Sequence, residues 1–243
     1  MTSYSQFCPV AKAMELLDER WTLLVVREML AGSRHFNDIR RGVPRMSPAL
    51  LSKRLRRLTQ AGLVERRDHG GRTSYVLTPA GEELRPAVEA LGQWGARWVP
   101  ELGDEDLDPH LLLWDMHRSL DTANMPDERT TLGFHFTDVV PAAARWWLVV
   151  DRDAVDVCDV DPGHPVTLVV RTSLRTLVDV WRGEITWTDA SDRGLTVDGP
   201  PWADHALPRW LKLSPFAAVP RPRPGNGQTL PLSASPAGAG ARR

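Results

Sequence analysis

The stretch from Ser47 to Gly62, SPALLSKRLRRLTQAG, constrains this chain more than any other, because a helix and both its ends can be read from it. Ser47 can cap the first turn and Pro48 suits the position just inside it, while Gly62 suits the stop. Leu51, Leu55 and Leu58 are spaced i, i+4, i+7 and form one apolar stripe. At roughly 100° per residue, Lys53 and Arg56 point away from that stripe, with Ser52 and Arg57 on their flanks. One face suits a core. The other suits an anion, although a solvated basic face reads the same way in isolation.

The following residues favour the anion. Leu63–Thr78 (LVERRDHGGRTSYVLT) reads as a strand, a turn at His69-Gly70-Gly71 and a returning strand. A basic helix followed by a basic hairpin is the layout of a winged helix-turn-helix, whose helix enters the major groove of DNA while the wing follows the backbone or minor groove. The DNA-facing set is Arg45, Ser47, Ser52, Lys53, Arg56, Arg57 and Arg72. Charge is distributed accordingly: the chain's net −1 divides into +6 over residues 1–99 and −7 over 100–243, and residues 34–72 alone carry +8. A patch of that sign attracts phosphate.

Upstream, Pro9 to Leu17 is a short helix, and Arg20 to Ala31 is an apolar helix with Trp21, Leu24, Val25 and Leu30 toward the core. Phe36 to Arg41 is the first helix of the helix-turn-helix, and Gly42-Val43-Pro44 is the turn. Downstream, Thr78-Pro79 opens a helix running through Leu84, Val88, Leu91 and Trp94 to Trp98. Its stripe predicts a homodimer seam at Leu91, Trp94 and Trp98. The alternative is a helix packed back on its own or the second domain.

From Cys8 to Trp98 the chain resembles the HxlR family of bacterial transcriptional regulators. The matching pieces, in order, are Cys8-Pro9-Val10, Arg20-Trp21-Thr22-Leu23-Leu24, Phe36-Asn37-Asp38-Ile39, Met46-Ser47-Pro48, Leu51-Ser52-Lys53-Arg54-Leu55, Gly62-Leu63-Val64-Glu65-Arg66 and Tyr75-Val76-Leu77-Thr78. The resemblance implies dimeric binding to double-stranded DNA near promoters, most often as a repressor. It also implies a sensing role for the matching cysteine in some members. Cys8 precedes Pro9 at a helix start, where backbone amides can lower a thiol pKa. The other reading of Cys8 is a small buried residue at the seam.

Beyond the acidic stretch 100–109, read as a linker, the periodicity changes. His110 to Asn124 is helical. Thr131–Phe136 alternates, placing Leu132, Phe134 and Phe136 on one strand face. Strands follow at 145–151, 154–160 and 166–171, with a turn at Asp151-Arg152-Asp153. Then come a helix from Thr172 to Arg182, a short strand at 194–199 and a helical piece from Trp202 to Leu213. The division is a DNA-binding and dimerisation domain over 1–99, an α+β domain with a mostly antiparallel sheet over 110–213, and a disordered Pro/Gly/Ala-rich tail over 214–243. The α+β order resembles the sterol carrier protein family over about residues 108–213. That implies an apolar cavity, with Leu132, Phe134, Phe136, Trp146, Leu148, Leu174, Leu177 and Trp181 as its lining and a small apolar ligand as a candidate partner. The alternative is that these side chains fill a core.

No Gly-rich phosphate loop, Ser nucleophile elbow or metal-ligand set is present, so neither an enzyme nor a cofactor or metal site is expected. The chain has two cysteines, no signal-peptide pattern and no apolar run long enough to span a bilayer, so the expected location is the cytoplasm, away from any membrane. The rival readings are a sensor acting through Cys8 with a structural second domain, and a lipid-binding or interaction protein with an accessory winged helix.

Overall fold

The computed structural model describes residues 3–99, 102–152 and 154–221. The first part contains α1 (Pro9–Leu17), α2 (Thr22–Leu30), α3 (Phe36–Arg41), α4 (Pro48–Gln60), β1 (Val64–His69), β2 (Arg72–Leu77), α5 (Pro79–Glu82) and α6 (Arg85–Trp98). The ends of α4 follow local chemistry. The Ser47 side chain accepts from the Leu50 amide, a cap worth about 1 kcal/mol. At the other end the Leu63 amide donates to the Leu58 carbonyl (3.0 Å) and the Gly62 amide to that of Thr59 (3.1 Å). Gly62 adopts φ +74°, as this double closure requires. Leu51, Leu55 and Leu58 are buried, and they pack with Val25, Val26, Met29, Ile39, Val43, Met46 and Val64 in a core of their own.

In α2 the expected inward set needs correcting. Thr22, Val25, Val26, Glu28 and Met29 are buried, Trp21 and Leu30 are half-buried, and Leu24 is 46% exposed. The helix settles on the arc centred between Val25 and Met29, and Leu24 lies on its far side.

The wing turns through Gly70 (φ +57°) and Gly71 (φ +79°), with His69 opposite Arg72. Positive φ at both central residues marks a two-residue turn that keeps the strands' natural twist. Gly81 fixes the wing's root: a Cβ there would lie 2.2 Å from the Leu63 carbonyl oxygen, so α5 can approach β1 only through glycine.

The second part holds α7 (Pro109–Met116), β3 (Thr130–Phe136), β4 (Arg145–Asp151), β5 (Ala154–Cys158), β6 (Leu168–Thr172), α8 (Leu174–Trp181), α9 (Trp187–Asp192), β7 (Thr196–Asp198) and α10 (Ala203–Trp210). The sheet order is β5-β4-β3-β6-β7, antiparallel except for the central β3–β6 pair. β3 is flanked on both sides and is therefore buried along almost its whole length, Thr130 and Thr131 included. Helix α9 is absent from the sequence reading, yet its start is encoded by a reciprocal cap: Thr186 accepts from the Asp189 amide, and Asp189 accepts from the Thr186 amide. The first helix ends at Met116, and short 3₁₀ turns carry the chain on to Asn124.

Three further expectations change. Leu132, Phe134, Phe136, Trp146, Leu148, Leu174, Leu177 and Trp181 all belong to one closed core, the most exposed of them at 9%. Sheet and helix meet, so these side chains pack against one another, and of them Trp181 at the edge of the core also borders a surface cleft. The linker is pinned: Asp104–Asp106 forms a 3₁₀ turn, and Arg175 donates to the Leu102 carbonyl (3.1 Å) and pairs with Asp104 (2.7 Å). Pro100 and Glu101 of the linker, and Asp153 of the expected turn, lie outside the described residues.

The beginning of the tail is also placed. The Ser214 amide donates to the Trp181 carbonyl (2.9 Å), and the Phe216 ring fills the space a side chain at Gly92 would need, 2.3 Å from a Cβ built there. Residues 222–243 of the expected disordered tail lie outside the described residues.

Candidate nucleic-acid interface

Around α4 the arginines divide by the side they leave from. Arg54 and Arg57, one turn apart, reach back to Glu19 in the α1–α2 connection, and both form ion pairs with it. Arg54 is buried and also donates to the Arg20 carbonyl (3.1 Å). These two tie α4 to the scaffold. Lys53 and Arg56 stay exposed on the opposite flank. There α4 and the wing form a groove of about 470 Å³, lined among others by Ser52, Arg56, Arg66, Thr73 and Tyr75.

The expected DNA-facing residues do not all gather on this face. Ser52 and Arg56 line the groove, Lys53 lies on the exposed side of the same helix, and Arg72 sits exposed at the wing's turn. Ser47 spends its hydroxyl on capping α4. Arg57 pairs with Glu19, and the exposed Arg45 donates to the Glu105 carbonyl of the linker. The reason is reach: each guanidinium finds a nearby acceptor that a helical wheel does not show.

Arg66 joins the groove although it was not assigned there. Its signal was the two-residue turn at Gly70-Gly71, which pairs His69 with Arg72 and so puts Arg66 directly opposite Tyr75. Its contact with Asp68 (3.1 Å) is exposed at both ends, so phosphate can compete for it cheaply.

On the other side of the domain, α1 and α6 contain no buried residue. Val10, Leu91 and Trp94 are at least half exposed, and Trp98 is half-buried. An adjacent face of α6 is covered by the segment that follows α10: Arg97 donates to the Pro220 carbonyl (3.3 Å) and Arg221 to that of Ala96 (3.2 Å). Helix α6 thus presents one exposed apolar stripe beside one covered by residues 216–221. Cys8 is a free thiol, half-buried at the N-cap of α1.

The domains meet at Glu28. This carboxylate has no exposed surface and accepts from Ser33 (2.8 Å), the Trp114 indole (2.8 Å), Arg27 (3.1 Å) and Arg118. Arg41 lies over the Trp114 ring at 5.2 Å and Arg118 at 5.0 Å. Gly42 has no side chain because the Glu28 carboxylate fills that space. Burial pushes the Asp115 carboxyl above its ordinary value, with Arg27 opposing the shift. No helix among the described residues is long and apolar enough to cross a membrane.

The HxlR-like helix-turn-helix family profile matches residues 16–102. The HTH-type transcriptional regulator Rv3095 of Mycobacterium tuberculosis is 43% identical over 96 residues, covering 37% of this chain and 59% of that protein. This chain therefore aligns with a little over half the length of that relative. YvaP of Bacillus subtilis, another HTH-type transcriptional regulator, is 34% identical over 99 residues, covering 39% of this chain and 92% of YvaP. Among solved structures, a possible HxlR family transcriptional factor from Thermoplasma volcanium shares 35% identity over 36% of this chain and 81% of its own, with a TM-score of 0.32. With a relative of more than 30% identity covered almost end to end, and with α4 and its wing in place, this chain belongs to the HxlR-like helix-turn-helix family through residues 16–102.

Proposed function

We propose that this chain is a homodimeric, sequence-specific double-stranded-DNA-binding transcriptional regulator, acting as a repressor, with α4 in the major groove and the wing alongside. The observation that carries the reading is the division of α4's cations. Arg54 and Arg57 are held by Glu19, while Lys53 and Arg56 face outward beside a groove that Arg66 completes. The test is a gel-shift titration on duplexes selected from a random library by the wild-type protein. Lys53→Ala and Arg56→Ala are each expected to weaken binding about 10-fold, and a phosphate contact would also flatten the salt dependence by about one ion. Unchanged affinity in both variants would remove this face from the interface.

The dimer seam is α1 with the exposed stripe of α6. Exposure of Leu91 (54%) and Trp94 (50%) on one helix supports it, because large side chains clustered this way mark contact surfaces. Trp94→Glu is expected to sediment as a monomer and to lose most DNA affinity, since two half-sites one turn apart need two copies. A variant that remains dimeric would move the seam elsewhere.

The domain division at residues 99 and 110 belongs to the same reading and is supported by two separate hydrophobic cores. So does the sterol-carrier-like character of residues 108–213, supported by a mostly antiparallel sheet followed by a helix ending at Trp181. The closed core makes this domain a rigid platform docked on α2 and α3, one that reads out to the DNA-binding unit through Glu28 and Trp114.

A further inference from the structure

Where the two domains and the segment Ser214–Phe216 converge, a cleft of about 400 Å³ opens. That volume lies within the range of small-molecule sites, roughly 300–1,000 Å³. The cleft lies outside the closed core of the second domain, touching it at Trp181, and is separate from the groove beside α4. Its apolar wall is made by Trp181 of α8, Phe216 of the segment after α10, Val88 of α6 and Leu30 of α2. Its polar rim carries the guanidinium groups of Arg27, Arg85 and Arg118 against the carboxylates of Asp115 and Glu89.

The three arginines are not equivalent. Arg118 is committed to buried Glu28, and Arg27 to Glu28 and the Gly42 carbonyl. Arg85 is held at the rim by the Leu30 carbonyl (3.2 Å), and its only carboxylate contact among the described residues is Glu82 (2.8 Å). That pair is about half exposed at both ends, so it contributes little and is readily exchanged for another anion. An apolar wall with two aromatic side chains, bordered by one exchangeable guanidinium, selects a flat apolar body bearing a single negative charge.

We propose that this cleft binds a small aromatic carboxylate, its ring system against Trp181 and Phe216 and its carboxylate on Arg85. The ligand touches α2, α6, α8 and the segment at Ser214–Phe216 at once. Helix α6 carries the exposed seam residues on its next stripe, so a ligand wedged behind Val88 biases how α6 sits on the second domain. This regulatory consequence rests on the DNA-binding reading above. The binding site itself does not.

The test uses the full chain without DNA. Naphthalene-2-carboxylate is titrated while intrinsic Trp fluorescence and melting temperature are followed, with 2-naphthylmethanol and 2-naphthylmethylamine as neutral and cationic counterparts. Saturable binding of the acid is expected, with both counterparts at least about 10-fold weaker. Arg85→Gln removes the charge, and Ala31→Trp fills the cleft from an exposed helix end. Each should weaken the acid about 10-fold or more while leaving the circular dichroism and ligand-free gel shift unchanged. The site is overturned if the acid gives no saturable change, if alcohol or amine binds equally well, or if Ala31→Trp binds the acid like wild type. The regulatory step is read separately, as a change in gel-shift affinity with the same midpoint as the fluorescence. A bound acid that leaves DNA affinity unchanged overturns that step while the cleft stands. A protein that binds the acid but no DNA overturns the DNA-binding reading alone.

Discussion

Glu28→Ala is expected to cost about 3–5 kcal/mol of folding stability, the range for removing one partner from a buried ionic cluster. Its carboxylate is fully buried and takes hydrogen bonds from both domains: Ser33 and Arg27 on the DNA-binding side, Trp114 and Arg118 on the other. Alanine would leave two guanidinium groups, an indole N–H and a hydroxyl facing a void. Glu28→Gln keeps the volume and some acceptors but removes the charge, so its cost should fall between alanine and wild type. Chemical denaturation followed by Trp fluorescence measures the loss, and limited proteolysis of the 100–109 segment reports whether the domains have come apart. A cost below about 1 kcal/mol would show that the two domains are held by packing alone.

The same junction should make stability depend on pH through His117. Burial lowers its pKa to about 4, with the neighbouring Arg118 charge next in size, while the hydrogen bond to the Trp114 carbonyl and the charge of Glu28 oppose the shift. The ordinary value for an unfolded histidine is near 6.5. Between about pH 4 and 6.5 the unfolded chain therefore binds the proton that the folded chain rejects. The contribution is present in full above about 6.5 and is lost as the pH falls toward 4. Allowing for its partial exposure, His117 should account for about 2 kcal/mol across that window. Asp115, raised by burial, acts in the opposite sense at the acidic end, so the informative quantity is a difference. Wild type minus His117→Gln, measured as denaturation free energy from pH 4 to 8, should grow as the pH rises and level off near neutrality. A flat difference would mean that the ring is as freely protonated folded as unfolded.

Features that rest on hydrogen bonds between near neighbours, or on simple periodicity, were legible in the sequence. Ser47, Pro48 and Gly62 bound α4 because a cap, a preset φ and a left-handed φ are properties of those residues alone. Gly70-Gly71 turns the wing for the same reason, and a period of two places Leu132, Phe134 and Phe136 on one face of β3. The motif run from Cys8 to Trp98 led to the family that the comparison at 16–102 bears out.

Partner choice was not legible at that range. Glu19 and Arg57 are 38 residues apart, and Glu28 and Arg118 are 90 apart. A helical wheel gives the direction in which a cation leaves its helix, but not the carboxylate that another element brings within reach. Leu24 is apolar enough for a core yet stays exposed, because the centre of α2's buried arc is set by what packs on it. The closed core of the second domain was undecidable for a related reason. Aromatic side chains can wall a cavity or fill one, and only the separation of α8 from the sheet distinguishes the two. The amino-acid order by itself determined the caps, the turns, the strand faces and the basic helix beside a basic wing. The tertiary structure alone decided that Arg54 and Arg57 pair with Glu19 while Arg56 has no such partner among the described residues, that Phe216 seats on Gly92, and that a buried glutamate joins the two domains, because each depends on atoms brought together from distant parts of the chain.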